Sequence, residues 1–453
     1  MNNVNRKNFV NIIIFASLIC FYLFFAFFDG VILCDDSSSY ILMDVIREPF
    51  YPLIIAFMRW IFPNNHLIVL VYFQSILLAI ATYALIEYVV RKNNIESYYK
   101  FLFLLVFISV SILCRFVSKR QSMYSNCILS EAIAYPLFLL FIRYIYEYLL
   151  DGEKKPLIIS SIISLLLIST RKQMFLTLII IVCSVFFKGI VGKTIKKNII
   201  KCLVIALIVF LSSKIIDIGY MKVLYGANST HTSDNRFIST VIVYNSSKDD
   251  ANLIDDENVK KLFIDIYDKC EINGYLKDYS LDNWYDRVNH FKDNYDNIQI
   301  KVMWPTFKEY ANKHNNYEAE SLVDKYNNII IDSLLKNKFG DILLTFIDNL
   351  FAGLIITVSA DKSIFIGYSI IIYLVYIALL VINIKKHSFD NIAIFSLLSL
   401  MSIFINTAIV SAVIFNQTRY TIYNMPLFYI SLLLMIYNIF INKKIENKYE
   451  KNK

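Results

Sequence analysis

Runs of apolar residues close to the roughly 20 needed to cross a bilayer recur along this chain, separated by short lysine-bearing joints. They occupy 9–28, 66–90, 99–116, 131–150, 156–170, 173–187, 199–219, 363–384, 391–415 and 421–441. Hydrocarbon offers no partner for a peptide N–H or C=O, so each run must close its hydrogen bonds internally as a helix. The expected fold is therefore an all-α polytopic membrane protein of about ten spans. Composition agrees, since 57% hydrophobic residues and a mean hydropathy of +0.52 do not suit a soluble domain of this length. The first run lacks a small-residue cleavage site and is too long for a signal core, so it reads as a retained span.

A net charge of +8 does not point to nucleic acid, because the cations sit between spans. Arg6 and Lys7, Arg91 and Lys92, Lys154 and Lys155, the cluster at 188–201, Lys385 and Lys386, and the tail from Lys443 alternate as the positive-inside rule requires. Both termini then lie inside. The seven cysteines have no paired spacing, so neither a disulfide framework nor a zinc site is indicated.

This topology divides the chain into an N-terminal membrane module at 1–219, with about seven spans and a first outer loop at 29–65. A stretch at 220–341, rich in Asp, Asn, Lys and Tyr, reads as a mostly helical extracytoplasmic insert. A C-terminal module of about three spans and a cytoplasmic tail fills 363–453. Between them, 342–362 is apolar but carries Asp348 and Asn349, and counting it as a span puts Lys385 and Lys386 outside. It is read as interfacial or re-entrant, the alternative being an eleventh span with an outer C-terminus. No repeat or low-complexity linker is present.

The segment at 34–52, CDDSSSYILMDVIREPFYP, sets Asp35, Asp36, Tyr40 and Arg47 beside lipid, where such groups are costly unless they serve a site. Lys119, Arg120, Arg171, Lys172 and Arg419 fall on the same side and break the positive-inside pattern. Arg171 and Lys172 occupy one short turn, and Arg419 and Tyr420 another. Guanidinium forks and ammonium charges held at helix ends suit phosphate, although snorkelling to lipid headgroups is the plain alternative. A carboxylate beside such a cluster suits sugar transfer from a lipid phosphate. Asp36 or Asp35 accepts the proton of the attacking hydroxyl, and the cations stabilise the leaving phosphate. Two adjacent carboxylates do not point the same way, so the second orients a group, binds a metal or faces water. A solvated acidic loop is the plain reading of the pair.

These residues resemble the GT-C superfamily of membrane glycosyltransferases, especially the branch holding protein mannosyltransferases and lipid A aminoarabinose transferases. Asp36, Tyr40 and the Arg47-Glu48-Pro49-Phe50-Tyr51-Pro52 run look like that family's first outer loop. Ser130-Glu131 with Tyr135-Pro136-Leu137, the turn Thr170-Arg171-Lys172-Gln173, and Arg419-Tyr420 with Met425-Pro426-Leu427 are similar to further family stretches, in the same order. The resemblance covers the membrane part. It implies inverting transfer from a polyprenyl-phosphate sugar to a hydroxyl on a glycan, lipid or protein acceptor. Topology sets the site at the outer face of a cytoplasmic membrane, or the lumenal face of an equivalent one, and the Ile, Asn and Lys bias of the composition points to a bacterial membrane. Asp36 is then the base, Asp35 and Glu131 are further catalytic candidates, and Tyr40, Arg47, Arg171, Lys172, Arg419 and Tyr420 contact substrate. Relatives differ in metal use and the first loop lacks Asp-X-Asp, so a divalent metal stays open.

The insert matches no appended domain of that family. Trp284, Trp304 and tyrosines such as Tyr275, Tyr279, Tyr285 and Tyr310 either stack on sugars or, more commonly, pack the insert. His231 and His290 read as surface residues, while Arg143 with Glu147 and Lys214 with Asp217 read as local ion pairs. The competing functions are an O-antigen or capsule polymerase, which would lack the early Asp-Tyr motif, and a flippase of lipid-linked sugars. The latter needs no general base and more often shows inverted halves.

Overall fold

In a computed structural model, residues 3–118, 121–232, 235–312, 316–360 and 365–441 are described. Lys119, Arg120 and the tail from Lys443 lie outside them. About 80% of the chain is helical, and the described residues form no strand beyond one isolated bridge between Ile32 and Cys127.

The N-terminal half comprises α1 (Asn3–Asp29), the short α2 (Ser37–Ile41), α3 (Phe50–Ile61), α4 (His66–Lys92), α5 (Tyr99–Val117) and α6 (Glu131–Asp151). It continues through α7 (Lys154–Ile168), α8 (Phe175–Val191) and α9 (Ile195–Tyr225). The insert supplies α10 (Arg236–Tyr244), α11 (Glu257–Ile272), α12 (Trp284–Asp296), α13 (Trp304–Ala311) and α14 (Asn316–Leu334). Then come α15 (Phe339–Ser359), α16 (Ile366–His387), α17 (Asn391–Val413), α18 (Thr418–Thr421) and α19 (Met425–Ile436). Nine helices among the described residues are long and apolar enough to cross a membrane, the makeup of a multi-pass membrane protein.

Two chemically distinct ends organise the bundle. At one, Lys92 pairs with Asp151 at 2.8 Å, Asn391 donates to the Lys92 carbonyl at 3.0 Å, and Lys188 donates to the Leu150 carbonyl at 3.3 Å. At the other, Asp29 closes α1 by pairing with Arg115 on α5 at 2.5 Å, and the first loop and the insert gather there. α6 links the two, starting at Glu131 and stopping where Gly152 adopts a positive φ that its missing Cβ permits. Buried Phe, Tyr, Leu and Ile from α4, α6, α8, α17 and α19 form the core between the ends.

One of the nine, α15, is a single unbroken helix, so nothing in it turns back within the segment. Its first turns bond to the insert, with Asp341 on Lys277 at 2.7 Å and Asp348 on Arg287 at 2.7 Å. Its last turn accepts from Thr418 at the Ala360 carbonyl, 2.8 Å away, and from Tyr429 at the Val358 carbonyl. α16 begins at the same level, where Tyr368 meets Tyr429 at 2.9 Å. Both termini of α15 thus contact the end that carries the first loop. The 15-residue α7 and the final α19, extended by a π turn to Ile441, run between the two ends although they are shorter.

The insert has its own core around Phe263, Phe291, Tyr295 and Phe307, and it is seated on the bundle rather than tethered. Tyr295 donates to the Val413 carbonyl at 2.8 Å, and Phe415 is part of the insert core.

Candidate functional site

Backbone pairing fixes the first loop before any charge acts. Ile32 donates to the Asn126 carbonyl and accepts from Ile128, both at 3.0 Å, and Ser37 donates to the Ile128 carbonyl at 2.8 Å. Those bonds press α2 against Ser130, where the buried Tyr40 donates its hydroxyl at 3.0 Å. Asp36 precedes α2 without capping it, which leaves both carboxylate oxygens for other partners.

Arg47 and Arg419 take those oxygens. Arg47 lies 2.7 Å from one, anchored by a 2.7 Å bond to Ser39 and by the Tyr40 ring beneath it at 4.4 Å. Arg419 reaches the other at 3.3 Å, donates to the Tyr420 hydroxyl at 2.6 Å and stands 4.0 Å from Glu131. Glu131, 3% exposed at the start of α6, accepts Arg171 at 2.8 Å. Arg171 in turn donates to Tyr423 at 3.3 Å. The result is a row of alternating charge, Arg47, Asp36, Arg419, Glu131, Arg171, drawn from four distant parts of the chain. Gln173 and Asn406 both donate to the Tyr420 carbonyl, at 2.9 and 2.8 Å, which fixes the turn bearing Arg419.

Three guanidiniums against two carboxylates leave the row cationic, and the Arg419 Nε–H is buried without a hydrogen-bond partner. Burial raises the Asp36 carboxyl, but Arg47 and Arg419 outweigh it and hold the group at about 2. Asp36 is thus ionised at any working pH and a weak base for as long as both arginines stay on it. Burial pushes the Tyr40 phenol up to about 12, so it serves as a neutral donor.

Of the sequence candidates, Asp36, Tyr40, Arg47, Glu131, Arg171, Arg419 and Tyr420 come together in this row. Asp35 is exposed beside it. Lys172 turns the other way: its backbone N–H donates to Glu48 at 2.8 Å, and its side chain lines a separate pocket with Lys214 and Asp217. Among the described residues, no three His, Cys, Asp or Glu side chains are grouped to hold a metal ion.

Several residues depart from the sequence reading. Asp217 does not serve Lys214. Its oxygens take the ring Nδ1 and backbone N–H of His231, at 2.7 and 3.1 Å, because the chain after α9 folds back over it. His231 is consequently buried at 5% exposure rather than on the surface, and His290 is half-buried against the Tyr244 hydroxyl at 3.0 Å. Arg143 and Glu147 do pair, at 3.6 Å.

Sequence reasoning missed Tyr423, four residues after Arg419 and so legible as a helical neighbour. It also missed Arg236, the first residue of α10. The Arg236 guanidinium lies between the rings of Trp304 and Phe237, at 4.9 and 5.0 Å, with its Nε–H unpartnered. Burial and the nearby charge of Arg47 both lower its pKa, which places the insert's first helix beside the row. Trp304 is therefore occupied by cations, Lys308 at 4.7 Å included, instead of standing open to a sugar.

Compared with family models, curated proteins and solved structures, the chain gives no match.

Proposed function

We propose that this protein is a membrane glycosyltransferase of the GT-C kind, which moves a sugar from a polyprenyl-phosphate donor to an acceptor hydroxyl. One observation carries the reading: the cationic row Arg47–Asp36–Arg419–Glu131–Arg171 at one end of an apolar bundle. A buried excess of guanidinium is costly unless an anion completes it. A lipid phosphodiester brings one negative charge, and its departure as a phosphate monoester brings a second. Arginines already in place stabilise the product-like charge more than the substrate, which is the requirement for catalysis.

Asp36 then changes role on donor binding. When phosphate draws Arg419 away, the carboxylate loses one of the two charges that suppress its basicity. It can then take the proton of the acceptor hydroxyl as that oxygen bonds to the anomeric carbon and the carbon–phosphate-oxygen bond breaks. The acceptor is a glycan, lipid or protein hydroxyl. Lysine-rich joints at the opposite end support a cytoplasmic assignment for that end, and the row then faces the outer side of the membrane.

Turnover of a panel of polyprenyl-phosphate sugars by the purified protein tests the reading, with free lipid phosphate as the readout. Release from at least one donor is expected. No release from any of them, with a range of acceptors supplied, defeats it.

A further inference from the structure

Arg236 stands beside the charged row without an anion of its own. Among the described residues its guanidinium makes no ion pair or hydrogen bond, and its Nε–H is buried. The two carboxylates that act on it are engaged elsewhere: Glu320 holds Lys308 at 3.2 Å, and Asp36 holds Arg47 at 2.7 Å and Arg419 at 3.3 Å. What holds the fork is aromatic, the Trp304 ring at 4.9 Å and the Phe237 ring at 5.0 Å, which orient a cation without neutralising it. The residue is only half-buried, so an anion can reach it.

Backbone bonds fix where the fork stands. The Thr232 N–H donates to the Val45 carbonyl at 3.0 Å, which lays the approach to α10 against the loop that carries Arg47. Ser239 and Thr240 both donate to the Arg236 carbonyl, at 3.0 and 2.7 Å, and the Tyr295 hydroxyl lies 3.3 Å from the Phe237 carbonyl. Arg236 is therefore on the Arg47 side of Asp36, whereas Arg419 takes the other carboxylate oxygen. In the transferase reading the donor phosphate draws on Arg419, which leaves the Arg47 side to the acceptor. We infer that Arg236 receives an anionic group of the acceptor, a carboxylate or a phosphate, and so holds the acceptor hydroxyl toward Asp36. The acceptor role rests on the transferase reading; the anion site does not. An uncompensated guanidinium in a half-buried place is unfavourable for the fold, and a bidentate oxyanion offsets that.

Trp304 is one of three tryptophans in the chain and reports on this guanidinium. Tryptophan fluorescence of the full-length protein in neutral detergent, with no donor present, is titrated with methyl glucuronide against methyl glucoside and with glycerol phosphate against glycerol. A saturable change with at least one of the two anions is expected, absent with its neutral counterpart and absent in Trp304→Phe. The two pairs tell a carboxylate from a phosphate. Arg236→Met should weaken the binding at least about tenfold and leave the unfolding temperature unchanged or higher, since it removes a charge that nothing in the fold neutralises. No change with either anion, or an equal change with the neutral counterparts, overturns the inference. So does native affinity in Arg236→Met, which together with a lower unfolding temperature assigns the residue to packing.

Lipid-phosphate release, measured separately, keeps the two readings apart. Release without any anion response overturns the inference and leaves the transferase standing. An anion response from a protein that releases phosphate from no donor keeps the anion site and removes the acceptor role along with the transferase reading.

Discussion

Glu131 holds the row together, since it takes Arg171 at 2.8 Å while nearly out of reach of solvent. Glu131→Gln strands a buried guanidinium and should cost about 3–5 kcal/mol in thermal unfolding. Arg143→Ala, which breaks a loose 3.6 Å pair of neighbours four apart on one helix, should cost less than Glu131→Gln. Asp36 gives a pH signature. Its folded pKa lies below the unfolded value of about 4, so its stabilisation is complete above that pH and fades as pH falls toward 2. With 38% of its side chain exposed, screening leaves about 1 kcal/mol. The stability of the native protein relative to Asp36→Asn should fall by that amount between pH 4.5 and 2, and a constant difference contradicts the pairing. The sequence revealed Asp36 and Arg47 through their cost beside lipid, Arg171 and Arg419 through their break with the positive-inside pattern, and Glu131 only through the resemblance to the transferase family. It did not reveal their partners, because pairing such as Asp36 with Arg419 depends on contacts across 383 positions. Arg236 was illegible for the same reason, since its neighbours are set by how the insert is seated.

At the scale of elements, periodicity and hydropathy located the long helices, because a span must satisfy its own backbone. They favour α15 as a span over α7 and α19, since α15 is the longer and is apolar enough to cross. The deciding information lies in packing. Gly353 on α15 nests against α17 and the turn after it, where an added Cβ would come within 2.3 Å of Thr407 and 2.5 Å of Asn416. Gly353→Ala should therefore destabilise the protein by about 1–3 kcal/mol or loosen α15 from its seat. Thermal unfolding, with protease sensitivity of the insert as a second readout, checks this. Gly367→Ala at the start of α16, where a Cβ meets nothing within 4 Å, is the matched control.

For the whole molecule, the two ends of the bundle differ in charge and in what covers them. In the proposed topology, lysine joints face the cytoplasm and the row with its insert faces outward. A cysteine at the exposed Tyr279 of the insert should react with a membrane-impermeant maleimide on intact cells, whereas one at Lys386 should react only after permeabilisation. The reverse pattern inverts the topology and removes the outer-face site. The charge alternation along the sequence is what argues for this orientation, whereas the seating of the insert over Val413 and Phe415 became visible only in three dimensions. The most direct measurement of the central claim compares the native protein with Asp36→Asn on the same polyprenyl-phosphate sugar, scoring binding and lipid-phosphate release separately. Donor binding should be retained and release reduced by about 10²–10⁴. Release by Asp36→Asn at the native rate contradicts it.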